Sequence, residues 1–192
     1  FGYEALKAIK PDLVYASISG YGQRGPKSEL PAFDGAIQAS SGMMSISGHP
    51  ESGPTRTGYF SVDMSTALNA AFAISAALFR RHLTGEGQRV DVSMLDTAVV
   101  MQAAQMSNYL VNDTLPELMG NRSPTKSPTA NVFACSDGFV QIVALREPHV
   151  KGLFSLLGVA DLYERFPEPA IRIAHTDAIN AAIKPLLAAK PS

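Results

Sequence analysis

The chain has 192 residues, is 46% hydrophobic and carries a formal net charge of −1. That composition supports a substantial core and gives no electrostatic bias toward nucleic acid or an anionic membrane, so a soluble globular protein is expected. The single Cys135 has no partner within the chain and no CxxC neighbour. Neither a disulfide framework nor a cysteine metal site is therefore expected, and a reducing compartment fits best.

The opening residues, through Lys10-Pro11-Asp12, read as the last turns of a helix stopped at Pro11, and Leu13–Ser19 follows as a strand. Gly20, Gly22, Gly25 and Pro26 mark a loop at the carboxyl end of that strand, where open α/β sheets place their ligand crevices. The GxGxxG spacing of a phosphate loop is absent. A helix is expected over Phe33–Ile46, then a Gly/Pro/Ser-rich loop over Gly48–Gly58. The next helix opens at Asp63 and ends near Gly85, after the basic Arg80, Arg81 and His82. Its uncharged run Met64–Phe79 contains Ser65, Thr66, Asn69 and Ser75, which is short and polar for a membrane span and reads as a buried helix.

Arg89–Met94 alternates as a strand, and Leu95 to about Leu110 returns to helix. The segment 112–129 has little periodicity and contains Pro116, Pro124 and Pro128, the marks of a linker or an active-site loop. Asn131–Ser136 and Phe139–Leu145 flank Asp137-Gly138, a hairpin signal, and helical stretches follow near Pro148–Leu157 and Thr176–Ala189. The expected fold class is α/β: residues 1–111 as part of a Rossmann-like large domain with a parallel sheet, 112–130 as linker or active-site loop, and 131–192 as an incomplete smaller α+β domain. Two clear strands are too few for a covered parallel sheet, so the sequence reads as a fragment cut at both ends.

Asp63 is the only charged residue between Arg56 and Arg80. Two roles suit a carboxylate there. It can cap the helix by accepting hydrogen bonds from the first free N–H groups. Alternatively, held ionised by the helix dipole against apolar walls, it can act as a nucleophile. The residue alone leaves both readings open.

Four stretches decide the matter further: Pro11-Asp-Leu-Val-Tyr-Ala-Ser-Ile-Ser-Gly-Tyr-Gly-Gln-Arg-Gly-Pro26, Ala32-Phe-Asp-Gly-Ala-Ile-Gln-Ala-Ser-Ser-Gly42, Thr84-Gly-Glu-Gly-Gln-Arg-Val-Asp-Val-Ser-Met-Leu-Asp96, and Gly120-Asn-Arg-Ser-Pro124. Together, in this order, they resemble the class III CoA-transferases, the CaiB/BaiF family. The resemblance implies transfer of CoA from an acyl-CoA donor to a free carboxylic acid through aspartyl anhydride and thioester intermediates on Asp63. It implies CoA contacts at Pro31, Ala32, Phe33 and Met94, and a supporting role for Asp34, which by its position also suits an N-cap of its own helix. Such an anhydride needs a dry pocket. Backbone N–H groups at the helix start are the natural oxyanion donors, worth on the order of 3 kcal/mol each.

The resemblance further implies CoA thioester as substrate with no permanently bound cofactor and no metal, an interlocked homodimer, no nucleic-acid or membrane partner, and a cytoplasmic location, or a mitochondrial or peroxisomal one in a eukaryote. Acyl-CoA racemases share the fold and carry a proton-moving His where this chain has Phe33. His49, His82, His149 and His175 lie outside the matching positions, so a transferase fits better than an α-methylacyl-CoA racemase-like isomerase. The consecutive glycines of the formyl-CoA branch are missing at Gly120–Pro124. Arg122 in that stretch is a candidate partner for the acceptor's carboxylate. A non-catalytic CoA-binding fragment is the remaining alternative.

Overall fold

Residues 2–192 are described by a computed structural model, in which the chain divides into two compact units, Phe1–Leu118 and Met119–Ser192. In the first unit, α1 (Tyr3–Ile9) stops before Pro11 and β1 (Val14–Ser19) follows, as expected. The single helix expected over Phe33–Ile46 is instead two, α2 (Asp34–Ser40) and α3 (Met43–Ile46). Gly42 between them takes a left-handed backbone, φ 85°, which ends a helix in the manner glycine permits. A small antiparallel pair, β2 (Gly48–His49) and β3 (Gly53–Pro54), closes the next loop.

The long helix α4 (Ser61–Thr84) ends on Gly85, left-handed at φ 71°, whose N–H bonds the Arg81 carbonyl at 2.8 Å. After it, β4 (Gln88–Ser93) runs parallel to β1, in register from Val14↔Gln88 to Ser19↔Ser93. The chain then enters α5 (Met94–Met101) with no intervening loop, and α6 (Ala103–Asn112) follows. Met94 is thus the first residue of a helix rather than the last of a strand. Ser93 caps α5 by accepting the Asp96 N–H at 3.1 Å. The break between α5 and α6 falls at Gln102, whose buried amide donates to the carbonyls of Ser41 and Ala98.

Both strands of the parallel pair end together, and the loop after β1 is drawn tightly over them. A Cβ on Gly20 would lie 2.2 Å from the Ala32 Cβ, so only glycine admits this approach. The Gly20 carbonyl accepts the Leu95 N–H at 2.9 Å, and the Gln23 N–H donates to Asp91 at 3.0 Å. One core cluster gathers Ile37, Met43, Val62 and Ala98 beneath this loop, and another packs Ala70 and Ala77 of α4 on Val90 and Val92.

The buried-helix expectation for α4 holds for one face only. Val62, Thr66, Ala70 and Ala77 are buried, while Met64, Leu68, Phe72, Phe79 and Leu83 form an exposed apolar stripe, Phe72 being 77% exposed. Two strands about 5 Å apart form too narrow a platform to enclose a helix about 10 Å wide. By length and composition α4 also meets the requirement for a membrane-crossing helix, although its small residues pack on β1, β4 and α5.

The second unit begins with the hairpin β5 (Ala130–Cys135) and β6 (Gly138–Val143). Pairing of Cys135 with Gly138 makes Ser136-Asp137 the turn, one residue earlier than the Asp137-Gly138 signal suggests. Four helices follow: α7 (Glu147–Leu156), α8 (Asp161–Arg165), α9 (Pro169–Ala174) and α10 (Thr176–Ala188). Phe133, Val150, Phe154, Ile179 and Ile183 are central to its core. Cys135 is only half-buried, less enclosed than a small core residue.

A polar knot holds the short helices. Arg172, 2% exposed, donates to the carbonyls of Phe166 and Pro167 and pairs with Glu147. A hydrogen bond from the Tyr163 hydroxyl to Glu147, with desolvation second, raises the tyrosine above its ordinary value of 10.0. A raised folded-state value contributes stability that is complete below the unfolded tyrosine value and is lost as pH rises through the folded one. The second unit is therefore expected to lose thermal stability as pH rises above about 10, and Tyr163→Phe is expected to flatten that slope. Circular-dichroism melts of both proteins between about pH 8 and 11 check it.

Candidate active site

The carboxyl ends of β1 and β4 face the first turns of α2, α4 and α5, and a buried carboxylate joins two of these helices. Asp34 opens α2 and is 2% exposed. Its Oδ2 accepts the backbone N–H groups of Val62 at 2.8 Å and Asp63 at 3.0 Å, while Oδ1 accepts from the Gln38 amide at 2.5 Å. Asp34 therefore caps α4, a helix beginning 27 residues further on, rather than the helix it opens. Burial of its charge is tolerable because three donors and the positive end of α4 surround it.

Gln38 extends the network. Its amide nitrogen also donates to the Thr57 hydroxyl at 2.9 Å, and its carbonyl oxygen accepts the Thr57 N–H at 2.9 Å. The Thr57 hydroxyl in turn donates to the Tyr59 carbonyl at 2.9 Å and shares a 2.9 Å hydrogen bond with the Ser61 hydroxyl. The strap leading into α4 is thus fixed from α2.

These bonds settle what Asp63 does in the fold. It stands third in α4, inside the helix rather than at its boundary, and its exposed carboxylate has no hydrogen bond or ion pair among the described residues. The local capping role is not its own, because Asp34 already holds the N–H groups of its first turn. The same bonds overturn the expected oxyanion donors. Ser61 N–H bonds the Tyr59 carbonyl, Val62 and Asp63 bond Asp34, and Met64 bonds the Phe60 carbonyl. No first-turn N–H of α4 is left for a ligand.

Beside Asp63 lies a pocket of about 240 Å³, lined by Ile18, Asp63, Thr66, Ala67 and Met94. Asp63 and Met94, singled out separately in the sequence, meet there. Thr66 and Ala67 were missed, yet their spacing of three and four from Asp63 on a helix marks them as its neighbours. Ile18, one residue from the end of β1, had only its place at a strand terminus to signal it. The apolar walls lie on one side, and Asp63 remains open to solvent, so the enclosed pocket expected for a water-sensitive intermediate is not complete within these residues.

Pro31, Ala32 and Phe33 precede α2 and do not line this pocket. Ala32 packs against the Ile37 cluster, whereas the Phe33 ring is 79% exposed. Arg122, in the second unit, is exposed and donates its Nε–H to the Met119 carbonyl at 3.2 Å. All four histidines are exposed, and His175 stacks on Phe166 with ring centroids 5.0 Å apart. Among the described residues no group of three His, Cys, Asp or Glu side chains could hold a metal ion.

Comparison with known proteins bears on this arrangement. The model of the family described as CoA-transferase family III matches residues 1–192. A succinate–glutarate CoA-transferase from Agrobacterium fabrum is 35% identical over 175 residues, 90% of this chain and 44% of that protein. An acetyl-CoA:oxalate CoA-transferase from Acetobacter aceti is 35% identical over 195 residues, 100% of this chain and 50% of that protein. Among solved structures, a CaiB/BaiF family protein from Brucella suis superposes with a TM-score of 0.88 at 34% identity, covering 100% of this chain and 51% of that one. The chain spans about half the length of the curated relatives it matches.

The two aspartates differ sharply in what they hold, so their removal separates them. Asp34→Ala strands two backbone N–H groups and is expected to lower stability by about 2–3 kcal/mol. Asp63→Ala breaks no bond and is expected to change it by less than about 0.5 kcal/mol. Urea unfolding, with hydrogen exchange at Val62 and Asp63, measures both.

Proposed function

The chain belongs to CoA-transferase family III, and from that membership we propose that the complete protein moves CoA from an acyl-CoA donor to a free carboxylic acid, with Asp63 as the nucleophile. The observation that carries this reading is the unengaged Asp63 carboxylate beside the pocket, its helix capped by another residue. An oxygen already accepting N–H bonds has its lone pairs committed. Both Asp63 oxygens are free of such bonds among the described residues, which leaves them available to attack a carbonyl carbon.

The reaction then balances as follows. An Asp63 oxygen attacks the thioester carbonyl carbon, the C–S bond breaks, and CoA leaves as thiolate, giving a mixed anhydride. The thiolate attacks the Asp63 acyl carbon and expels the donor as its carboxylate, leaving an aspartyl-CoA thioester. The acceptor carboxylate repeats the sequence in reverse order, first displacing CoA to form a new anhydride. The thiolate then takes the acceptor's acyl group and restores Asp63. Every step exchanges one acyl bond for another, so no oxidant, metal or permanently bound cofactor is required.

Within the pocket, Ile18, Ala67 and Met94 offer apolar contact to the thioester end of the donor. Pro31, Ala32 and Phe33 form the approach for the CoA arm, with the exposed Phe33 ring as its stacking surface. Arg122 is a candidate carboxylate-binding group of the second unit, since its Nε bond to Met119 leaves the terminal nitrogens to donate. The exposed apolar stripe of α4 supports an assembly in which further protein surface covers this helix, as in an interlocked homodimer. Closure of the pocket, and the donors for the oxyanion, would come from that covering surface.

Hydroxylamine trapping tests the nucleophile. The protein expressed from its complete reading frame, incubated with succinyl-CoA and quenched with hydroxylamine, is expected to carry a hydroxamate on the peptide containing Asp63. Asp63→Ala is expected to lose the adduct and at least about 10³-fold in transfer rate. Tight CoA binding with no adduct across several acyl-CoA donors would instead leave a CoA-binding protein or an isomerase.

A further inference from the structure

We infer that Gln38 is a positioning residue for acyl transfer, acting on Asp63 through Asp34 and Thr57; this rests on the reading of Asp63 as nucleophile. Gln38 is 1% exposed and lies one turn beyond Asp34 on α2. Its two amide protons go to Asp34 Oδ1 at 2.5 Å and the Thr57 hydroxyl at 2.9 Å, and its carbonyl oxygen takes the Thr57 N–H at 2.9 Å. All three bonds end on groups that themselves hold residues 57–63: Asp34 accepts the Val62 and Asp63 N–H groups, and the Thr57 hydroxyl bonds the Tyr59 carbonyl and the Ser61 hydroxyl.

A buried glutamine that served packing alone would bond whatever backbone lay nearest. Here one planar amide touches both determinants of the first turn of α4, the carboxylate inside it and the strap leading to it. Removing the amide frees Asp34 to rotate about its Cβ–Cγ bond, which spoils the geometry at Oδ2. It also releases Thr57, so the backbone carrying Asp63 loses two restraints together. Gln38 does not line the pocket, so it acts on the placement of the nucleophile and not on substrate. Attack on a thioester requires reacting atoms within about 3.5 Å and aligned, and a displacement near 1 Å is enough to slow such a step about 10²-fold.

The test uses the protein from its complete reading frame, wild type beside Gln38→Leu and Gln38→Glu. The rate of hydroxylamine-trapped adduct formation, kcat, KM for succinyl-CoA and the melting temperature are measured for each. Both variants, assayed well below their melting temperatures, are expected to form the adduct about 10–100-fold more slowly, with kcat reduced in proportion and KM within about twofold of wild type. Gln38→Glu keeps the length of the side chain and the acceptor for the Thr57 N–H, so it carries the test should Gln38→Leu not fold. Variants with lowered melting temperatures but wild-type kcat and trapping rate would overturn the proposal and leave Gln38 a structural amide. A wild-type protein that forms no adduct at all would remove the nucleophile reading, and this inference with it.

Discussion

The hydrogen bonds from the Val62 and Asp63 N–H groups to the buried Asp34 carboxylate are the constraint on which the first unit's site depends. They join the start of α2 directly to the start of α4, which begins 27 residues further along the chain. A carboxylate 2% exposed is tolerated only when its lone pairs are occupied and an opposite field is present. Two backbone donors, the Gln38 amide and the positive end of α4 meet that demand. The converse holds as well: α4 starts where Asp34 can reach it, and that choice sets which residue of the first turn stands free.

Division of labour between two carboxylates follows. One is buried, saturated with hydrogen bonds and concerned with structure. The other is exposed and makes no hydrogen bond or ion pair among the described residues. The same side chain thus stands in two opposite environments, which the fold alone sets apart. Neither environment is visible in the residue type.

Much of this was legible in the sequence, and the misses share a physical cause. β1, β4, the hairpin and the C-terminal end of α4 follow from periodicity and punctuation, because those signals are local. The cap of α4 is not local. An Asp in the first turn looks like a cap when only its neighbours in the chain are considered, whereas the true cap lies 28 residues from Val62. The helix break at Gly42 was hidden because Ser40-Ser41-Gly42-Met43 interrupts no apolar pattern and reveals its left-handed backbone only in three dimensions. Helices α8 and α9, of five and six residues, are too short to display a 3.6-residue period and are held by Arg172 rather than by their own pattern. Of the residues lining the pocket, Asp63 and Met94 are the two the sequence singles out, while Thr66 and Ala67 emerge only by counting along the helix from Asp63.

The direct passage from β4 into α5 has a consequence for how such a pocket can change. Ile18 belongs to β1, and Met94 follows the last paired residue of β4, whose partner is Ser19. The distance between these two walls is therefore set by the rungs of a parallel ladder, not by the side chains that fill the core. A one-residue slip would move Met94 about 3.3 Å and turn every strand residue to the wrong face, so the ladder resists small adjustments. The walls behave as a fixed gauge. Exchanging the side chains mounted on them alters depth and polarity while the frame keeps its width, so the pocket can be reshaped without moving the backbone.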